Sequence, residues 1–524
     1  ETRFEIDWED REQIGDNSIP TISVGSAFVG GGSQIGTSFN RTNSWELQNY
    51  TTTSLGKNSE HAIKFGVRLR GIRLRDRSEN NFGGSFSFIN LDSYRNTILG
   101  NDFPTSFTLT TGNPEQKVSQ TDVGLFITDD WRISPGLTMS FGLRYENQTN
   151  IKDSLNFAPR LSFAWSPGAG GARAPKTVIR GGFGIFYDRF SENLTLQARR
   201  FNGSEQLSLL VSSFDPNPVR RAAAIALLQQ AVFTVDGVSN APTADQILAA
   251  LPQSNTIRSI SPEIQSPYMA QVALGVERQL PFNTTVSLFY IGSRTWHVLR
   301  ARNINAPICP EQVNCLDAPR PDPLSGDIYQ YESSGVLNQN RIFTNIRANI
   351  NPRISIWGNY SLGFSKGDTD GAFSFPSYSY DLTGEYGRSS SDIRHNFVFG
   401  GNISLPWEFS LNPFVIANTG SPFNITRGVD LNGDGLTNER PTFGELAARC
   451  GELGLSNSFC DVSGFDPNQV IPRNFADGPK FFNVNMRWWR RSPRRIPGYG
   501  WTRWSRRRWF WRIRRWRRSQ PLQP

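Results

Sequence analysis

Residues 137–148 read LTMSFGLRYENQ, with Leu137, Met139, Phe141, Leu143 and Tyr145 on one side of an extended chain and Thr138, Ser140, Gly142, Arg144 and Glu146 on the other. Successive side chains of a strand point to opposite faces, so this period of two predicts a strand with one apolar and one polar face. The pattern recurs at Ile63–Leu69, Val123–Ile127, Leu161–Trp165, Ile179–Tyr187, Val272–Val276 and Val286–Tyr290. It returns at Ile342–Ile350, Ile354–Phe364, Phe397–Leu405 and Leu411–Val415. Some of these segments are joined by tight turns, such as Pro281-Phe282-Asn283, Asn351-Pro352 and Pro406-Trp407-Glu408. Others are separated by tens of residues, as from Phe190 to Tyr268 and from Arg300 to Arg341.

Two architectures use such strands. In a soluble sandwich the apolar face meets a second sheet, whereas in a membrane barrel it meets lipid and the polar face lines a wet lumen. Strict alternation of tight turns with long loops favours the barrel, whose short turns face one compartment and long loops the other. Hydrophobic residues make up only 37% of the 524, and no apolar run is long enough to span a bilayer as a helix. Aromatics nevertheless reach 12%, with 37 Phe, and there are 47 Gly, a mixture suited to alternating barrel strands and polar loops. The expected fold is therefore all-β: an antiparallel transmembrane β-barrel, partial in that it lacks some strands, with long extracellular loops. One loop is expected to carry short helices, in PVRRAAAIALLQQAVF and in TADQILAAL, where Thr243 and Gln246 have capping-box spacing. Aromatics near strand ends, namely Trp131, Trp165, Tyr187, Tyr290, Tyr360 and Trp407, are candidates for the girdles at the headgroup interface.

Charge divides the chain in two. Residues 487–524 hold 14 Arg and no Lys, Asp or Glu, so removing them from the net +9 leaves −5 on the remainder. The expected organisation is a barrel over 1–486 and an Arg/Trp-rich tail over 487–524. The opening ETRFEIDWEDREQ resembles neither a mature secreted terminus nor the start of a domain, and is read as the interior of a longer protein.

Chemistry-bearing motifs are few. Cys309 with Cys315, and Cys450 with Cys460, lie in Gly/Pro/Asn-rich loops and are read as two disulfides formed in an oxidising compartment. Metal-type CxxC spacing is absent, and His61, His297 and His395 are scattered. FVGGGSQIG and RGGFGIF lack full GxGxxG spacing and a strand-to-helix setting, so phosphate binding is rejected. In DLNGDGLTNERP, Asp430, Asn432 and Asp434 alternate and Gly435 follows, as in the first half of a calcium loop. Position twelve is Pro441 rather than Glu, so two readings stay open: a calcium site, or a turn held by Asx hydrogen bonds alone. Asp392, Arg394 and His395 in SDIRHNF lack a nucleophile and are read as a lumen-side or loop-anchoring charge cluster. No catalytic residue and no required cofactor is expected, with calcium as the one candidate ion.

Several segments in order, GLFITDDWRISPGLTMSFGLRYE, NFAPRLSFAWSP, TVIRGGFGIFYDRF, NYSLGFSKGDTDG, DIRHNFVFGGNISLPW and NPFVIANTGSPFNITRGVDLNGDGLTNERP, resemble the barrel of Oar-like TonB-dependent transporters. The resemblance runs from about His61 to Met486. It implies a barrel in the cell outer membrane that takes up an extracellular ligand and is driven by the TonB complex through an internal plug. In that family a signal peptide, a carboxypeptidase-regulatory-like domain and the plug precede the barrel, and none is recognisable in this sequence. The partners implied are outer-membrane lipid, the TonB complex through the plug, and an unidentified ligand, with no nucleic acid.

After Met486 the likeness stops, and half of the 14 Trp fall in the tail. Such a segment suits anionic lipid or nucleic acid, since Arg neutralises phosphate and Trp seeks interfaces. The preferred reading is a frame slip, because GGN glycine codons read two bases out of frame become NGG, which encodes Arg, Trp or Gly and thus gives Arg without Lys. Two other functions use the same residues: a surface adhesion or passive pore protein on this barrel, and a soluble secreted β-sandwich with a basic nucleic-acid-binding tail.

Overall fold

The computed structural model describes residues 1–494, apart from 172–173, 216, 235–236, 253–254, 311–314 and 316–317, together with the backbone of 503–506 and 509–513. Fourteen long strands among these residues form one antiparallel sheet in chain order. They are β1 Thr2–Gln13, β2 Ser38–Leu55, β3 His61–Ser78, β4 Glu115–Ser134, β5 Leu137–Gln148, β6 Asn156–Trp165 and β7 Thr177–Tyr187. The sheet continues through β8 Tyr268–Leu280, β9 Thr284–Asn303, β10 Ile328–Asn351, β11 Ile354–Gly367, β12 His395–Ser404, β13 Phe409–Asn418 and β14 Phe481–Arg494. Each pairs with the next, from β1 against β2 to β13 against β14. The far side of β14 pairs with 503–506 and 509–513, and among the described residues no pairing joins these or β14 to β1, so the sheet is not closed.

Register decides what each face carries. Leu161 stands opposite both Phe141 and Phe183, and Phe183 in turn opposite Val272, so one apolar row crosses four strands. Phe65, Leu125, Leu143, Phe163, Leu274 and Ile342 lie on the same side, and all are exposed. A soluble sandwich would bury this row under a second sheet, and none covers it; the sandwich reading is therefore wrong, and the row is the lipid face. From Leu137 to Tyr145 it spans nine residues, about the length with which a tilted strand crosses a bilayer.

Tight connections and long ones alternate around most of the wall, the exceptions being a short link at the loop end, 149–155, and an eleven-residue link at the tight end, 166–176. Two-residue links join β4 to β5 and β10 to β11, and the three residues 281–283 join β8 to β9. Phe282 (φ +60°) and Asn283 (φ +47°), and likewise Trp407 (φ +56°) and Glu408 (φ +62°), place two consecutive residues in the left-handed region. That is the backbone a twist-matched hairpin needs. At the other end the loops 14–37, 79–114, 188–267, 368–394 and 419–480 carry helices or strands of their own, and 304–327 holds the Cys309–Cys315 disulfide.

The buried hydrophobic cores belong to these loops. Ile22, Phe86, Phe107, Leu209, Leu228 and Ile247, from three different loops, pack together. Ile22, Phe86, Phe107 and Leu209 belong to a five-stranded sheet built from the same loops, and Leu228 and Ile247 come from helices packed on it. Helices occur in three loops rather than the one expected: α1 Leu91–Ile98, then α2 Glu192–Arg200, α3 Pro218–Gln229 and α4 Ala244–Ala250, then α5 Phe443–Glu452. Two of them start at caps that lie outside the expected helical segments, Asn90 before α1 and the Thr442–Glu445 capping box before α5.

Strand β14 continues the wall past Met486, pairing Phe409 with Arg490. Of the tail, 503–506 and 509–513 are strands, and the remainder beyond Arg494 lies outside the described residues.

Candidate functional site: the lumen wall and its mouth

The face opposite lipid is charged. Alternation places Glu46 (β2), Arg68 and Arg70 (β3), Asp122 (β4), Arg144 and Glu146 (β5) and Arg160 (β6) on one concave side. Arg68 grips Glu46 with two parallel hydrogen bonds, Nε to Oε1 at 2.9 Å and Nη2 to Oε2 at 2.6 Å. Asp122 receives Arg70 at 3.2 Å and Arg189, from the loop after β7, at 3.3 Å. Arg160 lies over the Phe186 ring, 4.5 Å from its centroid. Forked guanidiniums on a wet wall suit carboxylate or other oxyanion groups, because their donors match such groups two at a time. Lumen-face glycines make room for rings: a Cβ on Gly275 would meet Phe289 at 2.0 Å, and one on Gly400 would meet Trp357 at 2.6 Å.

Above the wall the loops are tied across one another by buried ion pairs. Arg300 at the end of β9 meets Asp368 at 2.6 Å, and Arg200 of α2 meets Asp76 of β3 at 2.6 Å. Arg473 and Arg440, both in the loop 419–480, reach Asp370 and Glu385 in the loop 368–394.

The segment 430–439 is a compact turn at this junction. Asp430 Oδ1 accepts from the N–H of Gly433 (2.7 Å) and Asp434 (3.2 Å), and Oδ2 from the N–H of Gly435 (3.0 Å). Asn432 Oδ1 accepts from Asp434 N–H and Asp434 Oδ1 from Leu436 N–H. Neighbouring loops hold it from outside: Asn303 Nδ2 donates to the Asp434 carbonyl (2.9 Å), Arg320 to the Gly433 carbonyl (3.0 Å), and Asn432 Nδ2 to the Ser377 carbonyl (2.8 Å). Among the described residues no three His, Cys, Asp or Glu side chains form a ready metal-holding cluster.

The remaining sequence candidates are placed as follows. Cys309 is bonded to Cys315, and Cys450 of α5 to Cys460. Trp131 and Trp165 stand at the tight-turn ends of β4 and β6, and Trp407 lies in a turn with 79% of its surface exposed. Tyr187 is at the loop end of β7, 5.5 Å from Tyr268, which stacks on Trp296. Tyr290 and Tyr360 sit inside their strands, the first donating to Asn340 Oδ1 at 2.7 Å and the second paired with His395 Nδ1 at 2.8 Å. Asp392 is buried and receives Arg388, Arg394 and the N–H of Ser365, which makes it a loop anchor. Sequence reading missed Asp327 and Glu439. Asp327 reaches Gly435 from a loop far back in the chain, which no local spacing marks, and Glu439 closes the turn itself by accepting from the N–H groups of Leu431 and Asn432, outside the alternate positions of the calcium-loop spacing.

A single sheet with lipid-compatible side chains outside, ion pairs inside, tight turns at one end and folded loops at the other is the wall of an outer-membrane barrel. Residues 8–156 and 151–494 match the family described as an outer membrane beta barrel domain, and the chain belongs to that family. It is similar to the TonB-dependent transporter Oar of Myxococcus xanthus, 24% identical over 188 residues, which covers 33% of this chain and 17% of that protein. Among solved structures it is similar to the outer membrane transporter YddB from Escherichia coli, with a TM-score of 0.53, 11% identity and coverage of 93% of this chain. The chain spans 54% of the length of that structure. The protein is placed in the outer membrane, with its long loops outside.

Proposed function

We propose that this chain is the barrel of a TonB-dependent transporter that takes up an extracellular ligand through its lumen. The observation carrying the reading is the wall itself: fixed charges line its concave face and folded, cross-tied loops crown one end, an arrangement that can bind a solute outside and pass it inward. The ligand would meet the loops and then the arginine-rich wall, so a solute bearing carboxylate or similar oxyanion groups fits best. Energy would enter through a plug and the TonB complex. Trp131, Trp165 and Trp407 at one rim and Tyr187 at the other would seat the barrel between headgroup layers. Transport and reception, rather than catalysis, are the roles supported by the transporter relatives.

The test works with an unidentified ligand. Cells carrying or lacking the complete protein are incubated in conditioned medium and the solutes remaining are compared, with the proton gradient intact or collapsed. Depletion of at least one solute only when both protein and gradient are present is expected. Depletion that survives collapse of the gradient would mark a passive pore, and depletion that never occurs would mark an adhesion protein.

A further inference from the structure

Two carboxylate oxygens in the 430–439 turn are buried and accept no hydrogen bond: Asp434 Oδ2 and Glu439 Oε2. Asp434 is 0% exposed and Glu439 4%. The other oxygen of each is fully used, Glu439 Oε1 taking the N–H groups of Leu431 (2.9 Å) and Asn432 (3.3 Å). One residue away, Asn438 Oδ1 is also buried without a partner, while its amide nitrogen is fixed on the carbonyls of Phe375 and Pro376. Nearby cations are committed elsewhere. Arg320 holds Asp327 at 2.8 Å, and Arg440, adjacent to Glu439 in sequence, turns away to Glu385 at 3.0 Å.

A buried anionic oxygen with no donor is costly, so one of three things must neutralise it: a proton, a guanidinium or a metal ion. The guanidiniums are taken. We propose that the 430–439 turn binds one calcium ion, with Asp434 and Glu439 as its charged ligands and the amide and carbonyl oxygens of the same turn completing the shell.

The choice of ion follows from the donors. They are all oxygens, with no His or Cys, which disfavours zinc and the softer metals. With two carboxylate oxygens and one amide oxygen of the turn free of donors, the rest of the shell must come from neutral oxygens, and calcium is the ion that accepts amide, carbonyl and water oxygens in an irregular shell of six to eight. Magnesium demands stricter octahedral geometry and holds its water more firmly. Asp430 already has its oxygens on three backbone N–H groups, and Gly433 (φ +73°) and Gly435 (φ +81°) supply the left-handed backbone that folds the turn around it. Burial, with Asp430, Glu439 and Asp327 close by, pushes the Asp434 carboxyl up to about 8, which makes a proton the rival occupant.

The consequence concerns the mouth of the barrel. The turn is held by Asn303 and Arg320 on one side and by the carbonyls of residues 375–377 on the other. An ion here would therefore lock three long loops together from the extracellular side, whatever solute the lumen carries.

The experiment uses the complete protein, purified in detergent and checked for the heat-modifiable mobility of a folded barrel. Radioactive calcium binding is measured at pH 7.5, with magnesium as competitor, alongside trypsin cleavage of the loops with calcium or chelator. One calcium per chain is expected, little displaced by magnesium, with calcium-dependent protection of the loops 304–327, 368–394 and 419–480. Asp434→Asn and Glu439→Gln, both near-isosteric, should each weaken binding about tenfold or more, whereas Asp381→Asn, an exposed loop acid, should leave it unchanged. Absence of stoichiometric calcium in heat-modifiable protein, or undiminished binding in both variants, would overturn the proposal and leave the proton as occupant. Neither result depends on whether transport is observed.

Discussion

Arg440 in the loop after β13 meets Glu385 in the loop after β11 with Nη2–Oε1 at 3.0 Å, and both side chains are almost wholly buried. A second contact, Nη1 to Oε2 at 3.2 Å, makes the pair bidentate, and Arg440 also donates to the Gly384 carbonyl. Removing one partner leaves the other charge buried and unpaired, so Arg440→Leu or Glu385→Leu should destabilise the loop junction by about 3–5 kcal/mol. Faster proteolytic nicking within 368–394 is the readout, and the double variant should recover much of the loss.

The two faces of one strand should respond oppositely to the same substitution. Leu161→Arg puts a charge in lipid near mid-span and should cost about 2–4 kcal/mol in bilayer refolding measured by urea titration, whereas Ser162→Arg points to the lumen and should cost little. Equal costs at both positions would contradict the assignment of lipid to the apolar face.

Trp407 and Glu408 occupy left-handed backbone that neither prefers. Glu408→Gly, which leaves the Trp407 anchor in place, removes a left-handed Cβ cost of about 1–2 kcal/mol against about 0.5–1 kcal/mol of extra glycine entropy, and should stabilise the barrel by up to about 1 kcal/mol. An unchanged unfolding midpoint would mean that the turn changes its backbone when the residue changes.

Acid should loosen the mouth at Asp370. Burial alone would raise its carboxyl, but the N–H and hydroxyl of Ser390 (3.0 Å each), Arg473 and Asn474 outweigh this and hold it below the usual range. A folded-state value below the unfolded one, near 3.9, contributes stability that is present above that value and lost as pH falls through the folded one. Pepsin cleavage of the loop 368–394 should therefore rise as pH drops below about 4, and Asp370→Asn should abolish the pH-dependent step.

Much of the wall is legible in the sequence because lipid and lumen impose opposite polarity on neighbouring positions, as at Leu143 and Arg144. Where both faces carry polar groups the signal fades. Strand β1 alternates Phe4, Ile6 and Trp8 with Arg3, Glu5 and Asp7, but its charge density keeps it out of the alternating strands picked from the sequence; in the structure it pairs with β2 from Thr2 to Gln13. Strand β2, rich in Thr and Asn, escapes the pattern for the same reason. At the mouth, the Asp430 turn announces itself through local spacing, whereas Asp327 and Glu385 join it only through tertiary folding, which no window along the chain can reveal.

The packing of Ile22, Phe107 and Leu228 also sets an order of events. These residues belong to connections that leave the sheet at different strands, so each must reach the cell exterior on its own hairpin before it can find the others. Assembly of this crown can only follow delivery of all three through the bilayer, and a mature surface epitope spanning them would report that insertion of the surrounding staves is complete.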